Sequence, residues 1–453
     1  MPNQTGEVIE IEQRLLGDVW TSPALWESVR YLCDECNGRF AGTDDERRAG
    51  DFLLERFREL GAENVTAEPF EMKGWQRGDA QLTLLAGDAP RDLPCLALPG
   101  SPAGQAEAEI IAVRQGTAED FERLGGSVAG KIVLADDGGP HRLEKYARAQ
   151  LAKAEGFVFA NARPGMLALT GSLSMGEERV FLPGVGISLE AASLLRRQGG
   201  DGPARVRITV GGETQLVQAR NILAELPGSD PDAGWIIVCG HYDGHDVAQG
   251  AQDNATGTAV VLEVARVLAP LRSHLKAGLR FVLFSGEEMG LWGSHAYARD
   301  HADELDQIRA VFNADIVGLA APLTLTVQNH PELTTHLRRF PLEDLGAKVE
   351  DTKVMAHSDH FPFALAGVPA IAVMTSRPES GGGMWVHTQA DTLDKLDQTK
   401  LREAAATSAR ILLRMAMNPD DLPRGRQTAE EVEQAIAKTG EEGALRIQGE
   451  WPF

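Results

Sequence analysis

Apolar positions along this chain fall into two textures. From about residue 213 to 420, short and nearly continuous apolar runs, "WIIVCG", "LRFVLF", "IRAVFNAD", "LTLTVQN" and "VPAIAVM", alternate with helical patterns such as "TGTAVVLEVARVLAPL" and "LWGSHAYARDH". Runs of that kind predict strands buried on both faces, and their alternation with helices predicts a mostly parallel central sheet flanked by helices. Near the start, "DERRAGDFLLERFRELG" has apolar residues at helical spacing and a glycine stop, followed by a strand-like "NVTAEPFEM". From about 85 to 212 the pattern changes to short β-like pieces parted by Gly and Pro. These are "AEIIAVRQG", "GKIVLADDGG", "GFVFANARPG", "GVGISLEAA" and "ARVRITVGG", with one helix, "RLEKYARAQLAKAEG".

The reading is therefore an α/β protein with a small β-rich insert. Residues 1–84 form the N-terminal part of the main domain, 85–212 the insert, 213–420 the remainder of the main domain, and 421–453 an acidic helical extension expected on the surface. The insert is expected to cover part of a cleft or to mediate assembly into a homo-oligomer.

Composition narrows the partners. Lys+Arg 44 against Asp+Glu 66 leaves a formal charge of −22, which repels phosphate backbones and anionic lipid and favours a bound cation. No nucleic-acid or membrane partner is expected. The opening "MPNQTGEVIEIEQ" has neither a basic n-region nor an apolar h-region, so a cytoplasmic location is expected, or a secreted one if a leader has been removed. Of the four cysteines, Cys33 and Cys36 form a CxxC pair without a second pair to complete a zinc site, and reduced thiols in packing are expected.

The polar residues at the strand ends carry the chemistry. "WIIVCG" runs into His241, Tyr242 and Asp243; the next loop carries Asp253 just before a helix; "LRFVLF" is followed by Glu287 and Glu288; "IRAVFNAD" ends on Asp315; and His387 follows "VPAIAVM" after a glycine-rich loop. In open α/β sheets ligands gather beyond the carboxyl ends of the strands, so these groups should meet at one rim. Two imidazoles with several carboxylates suit a hydrolytic divalent ion, zinc first, and a shared carboxylate suits two ions about 3.5–4 Å apart. The adjacent glutamates then divide the work: one binds metal, and the other moves the proton of the attacking water.

On these residues the chain resembles the co-catalytic dizinc exopeptidases, which include leucyl-type aminopeptidases, aminopeptidase Y and glutamate carboxypeptidases. The matching motifs are "GHYDG" (240–244), "GAQDNATG" (250–257), "FSGEEMGLWGS" (284–294), "NADIVG" (313–318), "SDHFPF" (358–363) and "VHTQADT" (386–392). The insert, with "GSVAGKIVLADDG" and "ARAQLAKAEGFVFAN", resembles a protease-associated domain. The resemblance implies two zinc ions per chain, bridged by Asp253. Glu288 and His387 would complete one ion, and His241 and Asp315 the other. It further implies Glu287 as general base, Asp243 as a partner orienting His241, Asp359 and His360 as supports near the site, and a cis bond between Asp253 and Asn254.

The implied activity is hydrolysis of a terminal amide bond in a peptide or aminoacyl substrate. No arginine cluster stands beside the ligand motifs, and Arg377 is the one nearby cation, so an aminopeptidase is favoured over a glutamate-type carboxypeptidase, which needs cationic donors for a carboxylate. An N-acyl amino acid amidase on the same metals is the other alternative. A single-zinc aminoacyl cyclase would not need both His241 and Asp315, and a non-catalytic relative would be expected to lose ligands or base. His245 is expected as an exposed loop histidine, and Trp385 as either a pocket wall or a core residue.

Overall fold

The computed structural model describes residues 3–85, 89–173, 181–198, 203–328, 330–352, 354–375, 384–439, 442–449 and 451–453. Arg377 and most of the glycine-rich loop lie outside the described residues.

The main body is an eight-stranded sheet. At its centre the strands Gly278–Phe284, Trp235–His241, Ile308–Ala314 and Ala370–Thr375 run side by side and parallel. Their residues are almost all buried, as expected of strands with helices on both faces. Antiparallel pairings flank this core. Glu213–Leu226 joins one side, and Leu323–Gln328 joins the other and carries Ala347–Thr352 in parallel beyond it. The helix Thr256–Leu268 is buried along nearly its whole length and packs between Trp235–His241 and the long helix Gln398–Met417.

Residues 80–210 build a second eight-stranded sheet, mixed in direction. Chain enters and leaves it through an antiparallel ribbon, Glu63–Gln76 against Glu213–Leu226. The two bodies share one apolar cluster, in which Phe70, Met72 and Trp75 of the ribbon meet Leu82 and Val210 of the second sheet and Met289 of the main body. A bidentate pair between Arg77 and Asp246, at 2.8 and 2.6 Å, adds a polar tie.

The C-terminal segment differs from the surface helix expected. Ala429–Thr439 is amphipathic, and its Val432, Ala435 and Ile436 are buried against Leu291 and Phe361. The following helix, Glu442–Gln448, packs on the insert's helix Arg142–Leu151. Apolar residues at helical spacing inside an acidic stretch outweigh its net charge. Cys33 and Cys36 lie in the core with free thiols, pushed by burial up to about 12 and about 11. No described helix is long and apolar enough to cross a membrane.

Candidate metal centre

Each sequence-marked ligand lies at the carboxyl end of a central strand. His241 closes Trp235–His241, Glu287 and Glu288 follow Gly278–Phe284, Asp315 follows Ile308–Ala314, and His387 lies beyond Ala370–Thr375. Asp253 sits in a single irregular turn, Ala251–Ala255, that opens the helix Thr256–Leu268. The Asp253–Asn254 peptide bond is cis. The Asn254 side chain fixes this turn: its Nδ2 donates to the Ala314 carbonyl at 2.9 Å, and its Oδ1 accepts from the Gly257 and Ile316 N–H groups.

The ligands meet in two groups. One is His241, Asp253 and Asp315; the other is His387, Glu288 and His245. Asp253 faces both. Its Oδ1 lies 3.2 Å from His241 Nε2 and its Oδ2 lies 3.2 Å from His387 Nε2. Asp315 Oδ1 is 3.5 Å from His241 Nε2, and Glu288 Oε2 is 3.5 Å from His387 Nε2. Glu287 belongs to neither group and lines the adjoining cleft, which has a volume of about 610 Å³.

Electrostatics show what the cluster lacks. Burial, reinforced by the Asp253 charge, pushes the Glu288 carboxyl up to about 8. Burial raises Glu287 well above the carboxylate range and Asp359 to about 7. Burial also opposes ionisation of Asp253, but hydrogen bonds from His241 and His387 outweigh it and hold that carboxyl low. Against burial, the surrounding carboxylates, Glu287 foremost, hold His241 well above its usual range. Acids this densely placed need cations nearby. Glu288 Oε1 and Asp315 Oδ1 are buried without a hydrogen-bond partner, as is the ring Nδ1 of His245. The donor set of imidazole and carboxylate suits zinc, and the unpartnered donor atoms fit two such ions.

Several supports differ from those expected. The ring Nδ1 of His241 lies 3.1 Å from the backbone carbonyl of Asp243, and the Asp243 carboxylate, 3.7 Å away, turns instead to the N–H groups of Glu287 and Glu288 at 3.2 and 3.4 Å. It thereby aligns the two glutamates. Neither Asp359 nor His360 hydrogen-bonds a ligand, although both are buried. The supporting bond comes one residue earlier: Ser358 Oγ donates to Asp315 Oδ2 at 2.7 Å and accepts from Asn313 at 2.7 Å. A hydroxyl can turn to donate to one neighbour and accept from the other.

His245 is buried, not exposed, and its Nε2 comes within 2.8 Å of Glu288 Oε2. Asp391 accepts from the N–H groups of Gln252 and Asp253, at 2.7 and 3.1 Å, and so steadies Asp253. Arg39 is buried and donates to the carbonyls of Tyr242, Gln249 and Gly250, knitting the loop between His241 and Asp253. Trp385 is half-buried, with Lys395 over its ring at 5.9 Å, and does not line the cleft. The "QAD" following His387 marked Asp391 in the sequence; nothing local marked Arg39, whose partners lie some 200 positions away.

The insert also reaches the cleft. His141, Arg142 and Ser172 line it beside Glu287 and Glu288, and the His141 ring stacks on His357 at 3.7 Å. Sequence reasoning offered Arg377 as the one nearby cation and missed Arg142, which lies about a hundred residues before His241.

Comparison with known proteins agrees with this geometry. Residues 221–412 match the model of peptidase family M28, and residues 97–195 match the PA domain. Aminopeptidase YwaD of Bacillus subtilis is 27% identical over 394 residues, covering 84% of this chain and 81% of its own. Human carboxypeptidase Q is 24% identical over 423 residues, covering 88% and 86%. The crystal structure of BSAP, a zinc aminopeptidase from Bacillus subtilis, superposes with a TM-score of 0.68 at 25% identity, covering 89% of this chain and 98% of its own. With motifs, paired ligand groups and insert all in agreement, residues 221–412 are similar to peptidase family M28 and residues 97–195 to the PA domain, and the chain is a metallopeptidase with two candidate metal-binding groups.

Proposed function

We propose that this protein is a zinc aminopeptidase that removes the N-terminal residue from short peptides. One observation carries the reading: the two oxygens of Asp253 face two imidazoles that belong to separate donor groups, while Glu287 stands outside both and faces the same cleft. His241, Asp315 and one Asp253 oxygen would hold one zinc; His387, Glu288 and the other oxygen would hold the second. When bound, the pair supplies Lewis-acid polarisation of the scissile carbonyl and a nucleophile at neutral pH.

The remaining work falls to the chain's own residues. Glu287 is fixed through its N–H by Asp243 and has no metal to bind. Its carboxylate is therefore free to take the proton of the attacking water and deliver it to the leaving amine. The wall formed by Glu287, Glu288 and Asp315 attracts the ammonium of a free N-terminus. The names of YwaD and BSAP point the same way. The carboxypeptidase reading, with carboxypeptidase Q as its relative, is favoured by a single feature, the cationic Arg142 in the cleft.

The test compares leucine anilide with N-acetylated leucine substrates, using chelated protein reloaded with zinc. Activity on the free-amino substrate should return as two equivalents are added. Hydrolysis of the amino-blocked substrate with none of the free-amino one would overturn the reading.

A further inference from the structure

We infer that His245 is a further protein ligand of the ion at His387 and Glu288. With the shared Asp253, four donors then enclose that ion, and it binds first. The ion at His241 and Asp315 keeps an open position and exchanges more readily. The inference rests on the two-zinc reading of the same site and adds a difference between the two ions.

His245 stands four positions after His241, in the loop that leads to Asp253, and is only 4% exposed. Its Nε2 lies 2.8 Å from Glu288 Oε2. The same oxygen is 3.5 Å from His387 Nε2, which in turn is 3.2 Å from Asp253 Oδ2. Bonds of about 2.0–2.2 Å to a tetrahedral zinc place neighbouring donors roughly 3.3–3.6 Å apart. These four atoms are therefore spaced as ligands of one ion, and the short pair needs to part by only about half an ångström. The rings of His245 and His387 meet at 82° with centroids 4.8 Å apart, an arrangement of two imidazoles converging on a point. The loop is fixed on both sides of His245. Arg39 donates to the carbonyls of Tyr242 and Gln249, and Asp246 is paired with Arg77. Gly38 lies so close that a Cβ there would fall 2.3 Å from the His245 carbonyl oxygen, and the ring of Phe40 stacks on that of His245 with centroids 6.1 Å apart.

The plainer use of this ring would be a hydrogen bond that orients Glu288 from outside. An outer partner belongs on the carboxylate oxygen that the metal does not take. Here that oxygen, Oε1, is buried without a partner, while His245 is aimed at Oε2, the oxygen that also faces His387. The Nδ1 of His245 is likewise buried without a hydrogen-bond partner, so no acceptor outside the cluster offsets the cost of burying the ring. An imidazole aimed at the ligand oxygen, and at the space between it and His387, is placed to bind the ion itself. The two groups then differ in kind. Asp253 joins His387, Glu288 and His245 as a fourth donor, whereas His241, Asp253 and Asp315 are three. Four protein donors close a zinc site, and three leave a position for water or substrate.

The experiment strips the full chain of metal and titrates it with zinc, alongside two variants. His245→Phe keeps an aromatic ring against Phe40 without a donor atom, and His245→Gln keeps a hydrogen-bond donor for Glu288. In wild type, calorimetry should resolve two binding steps, and X-ray absorption at one equivalent of zinc should find two imidazoles on the ion. Filling of the His241 position first would show one. Both variants should weaken the tighter step by more than about 100-fold, beyond the 10- to 100-fold typical of an outer partner, and leave the weaker step within about 3-fold. A single imidazole at one equivalent in wild type would overturn the inference without recourse to any variant. Wild-type affinity in the folded His245→Gln protein would also overturn it, by showing that a hydrogen bond to Glu288 is all that the ring supplies. A wild type that holds two zinc ions yet leaves leucine anilide intact would refute the aminopeptidase reading, while the imidazole count would still decide the role of His245.

Discussion

The backbone N–H of Thr170, in the insert, donates to the carbonyl of His387 at 2.8 Å. His387 has φ +59, a left-handed backbone that costs a residue with a β-carbon roughly 1–2 kcal/mol. Arg163 of the insert grips the same loop through the carbonyls of Met384 and Val386. The insert therefore shapes the loop that presents His387, one of the proposed metal ligands. Arg163→Ala should weaken one of the two zinc ions by about 10-fold and leave the other within a factor of about two, since partners outside the ligand sphere typically contribute 10- to 100-fold. Zinc titration by calorimetry resolves the two ions; equal weakening of both would show that the insert does not act through His387.

Glu287, outside both donor groups, is proposed here to transfer the proton and not to bind metal. Glu287→Gln should keep two zinc ions per chain and lose about 10³-fold or more in kcat, the scale of general acid–base catalysis. Metal analysis and steady-state kinetics on one sample check both halves. Unchanged turnover would remove Glu287 from the mechanism.

Ser358 holds Asp315 through a 2.7 Å hydrogen bond and is itself held by Asn313. Ser358→Ala should lower affinity for the ion held by His241 and Asp315 by about 10-fold. Asp359→Asn, one residue on, touches no ligand and should leave that affinity within about 3-fold. The reverse order in a zinc competition assay would return the support to Asp359.

Removing the metals should destabilise the fold. Each ion present at a hundredfold over its Kd adds about 2.7 kcal/mol, and the buried carboxylates left behind repel one another. Chelation should lower Tm by several degrees, and two equivalents of zinc should restore it. A melting curve indifferent to chelator would show that the ligand groups are not joined by metal.

Glu46 offers a pH test away from the metals. Its carboxyl contacts the Tyr242 hydroxyl, whose single hydrogen also has the Arg220 carbonyl as acceptor at 2.8 Å. Burial pushes Glu46 from 4.5 up to about 7, so that the folded protein holds a proton the unfolded chain releases. Its contribution to stability is present below pH 4.5 and falls as pH rises to about 7. Glu46→Gln lacks this loss, so wild-type stability relative to the variant should fall by up to about 3 kcal/mol across that window. Parallel pH profiles of Tm would rule out a buried, protonated Glu46.

Much of the main body was legible in the chain, and the reason is local. Apolar runs such as "WIIVCG" and "LRFVLF" can satisfy their backbone only in a covered sheet, and the polar residue after each run is carried to one rim by the parallel strand direction. His241, Asp253, Glu288, Asp315 and His387 could therefore be chosen from sequence and motif before any coordinates. Tertiary structure alone decided what crosses between distant segments. It brought Arg142 and Thr170 to the cleft from the insert, buried His245 against Glu288, gave the support of Asp315 to Ser358, and seated the acidic tail on Phe361. These contacts depend on how separate elements pack, with neither sequence spacing nor a period of 2 or 3.6 residues to announce them.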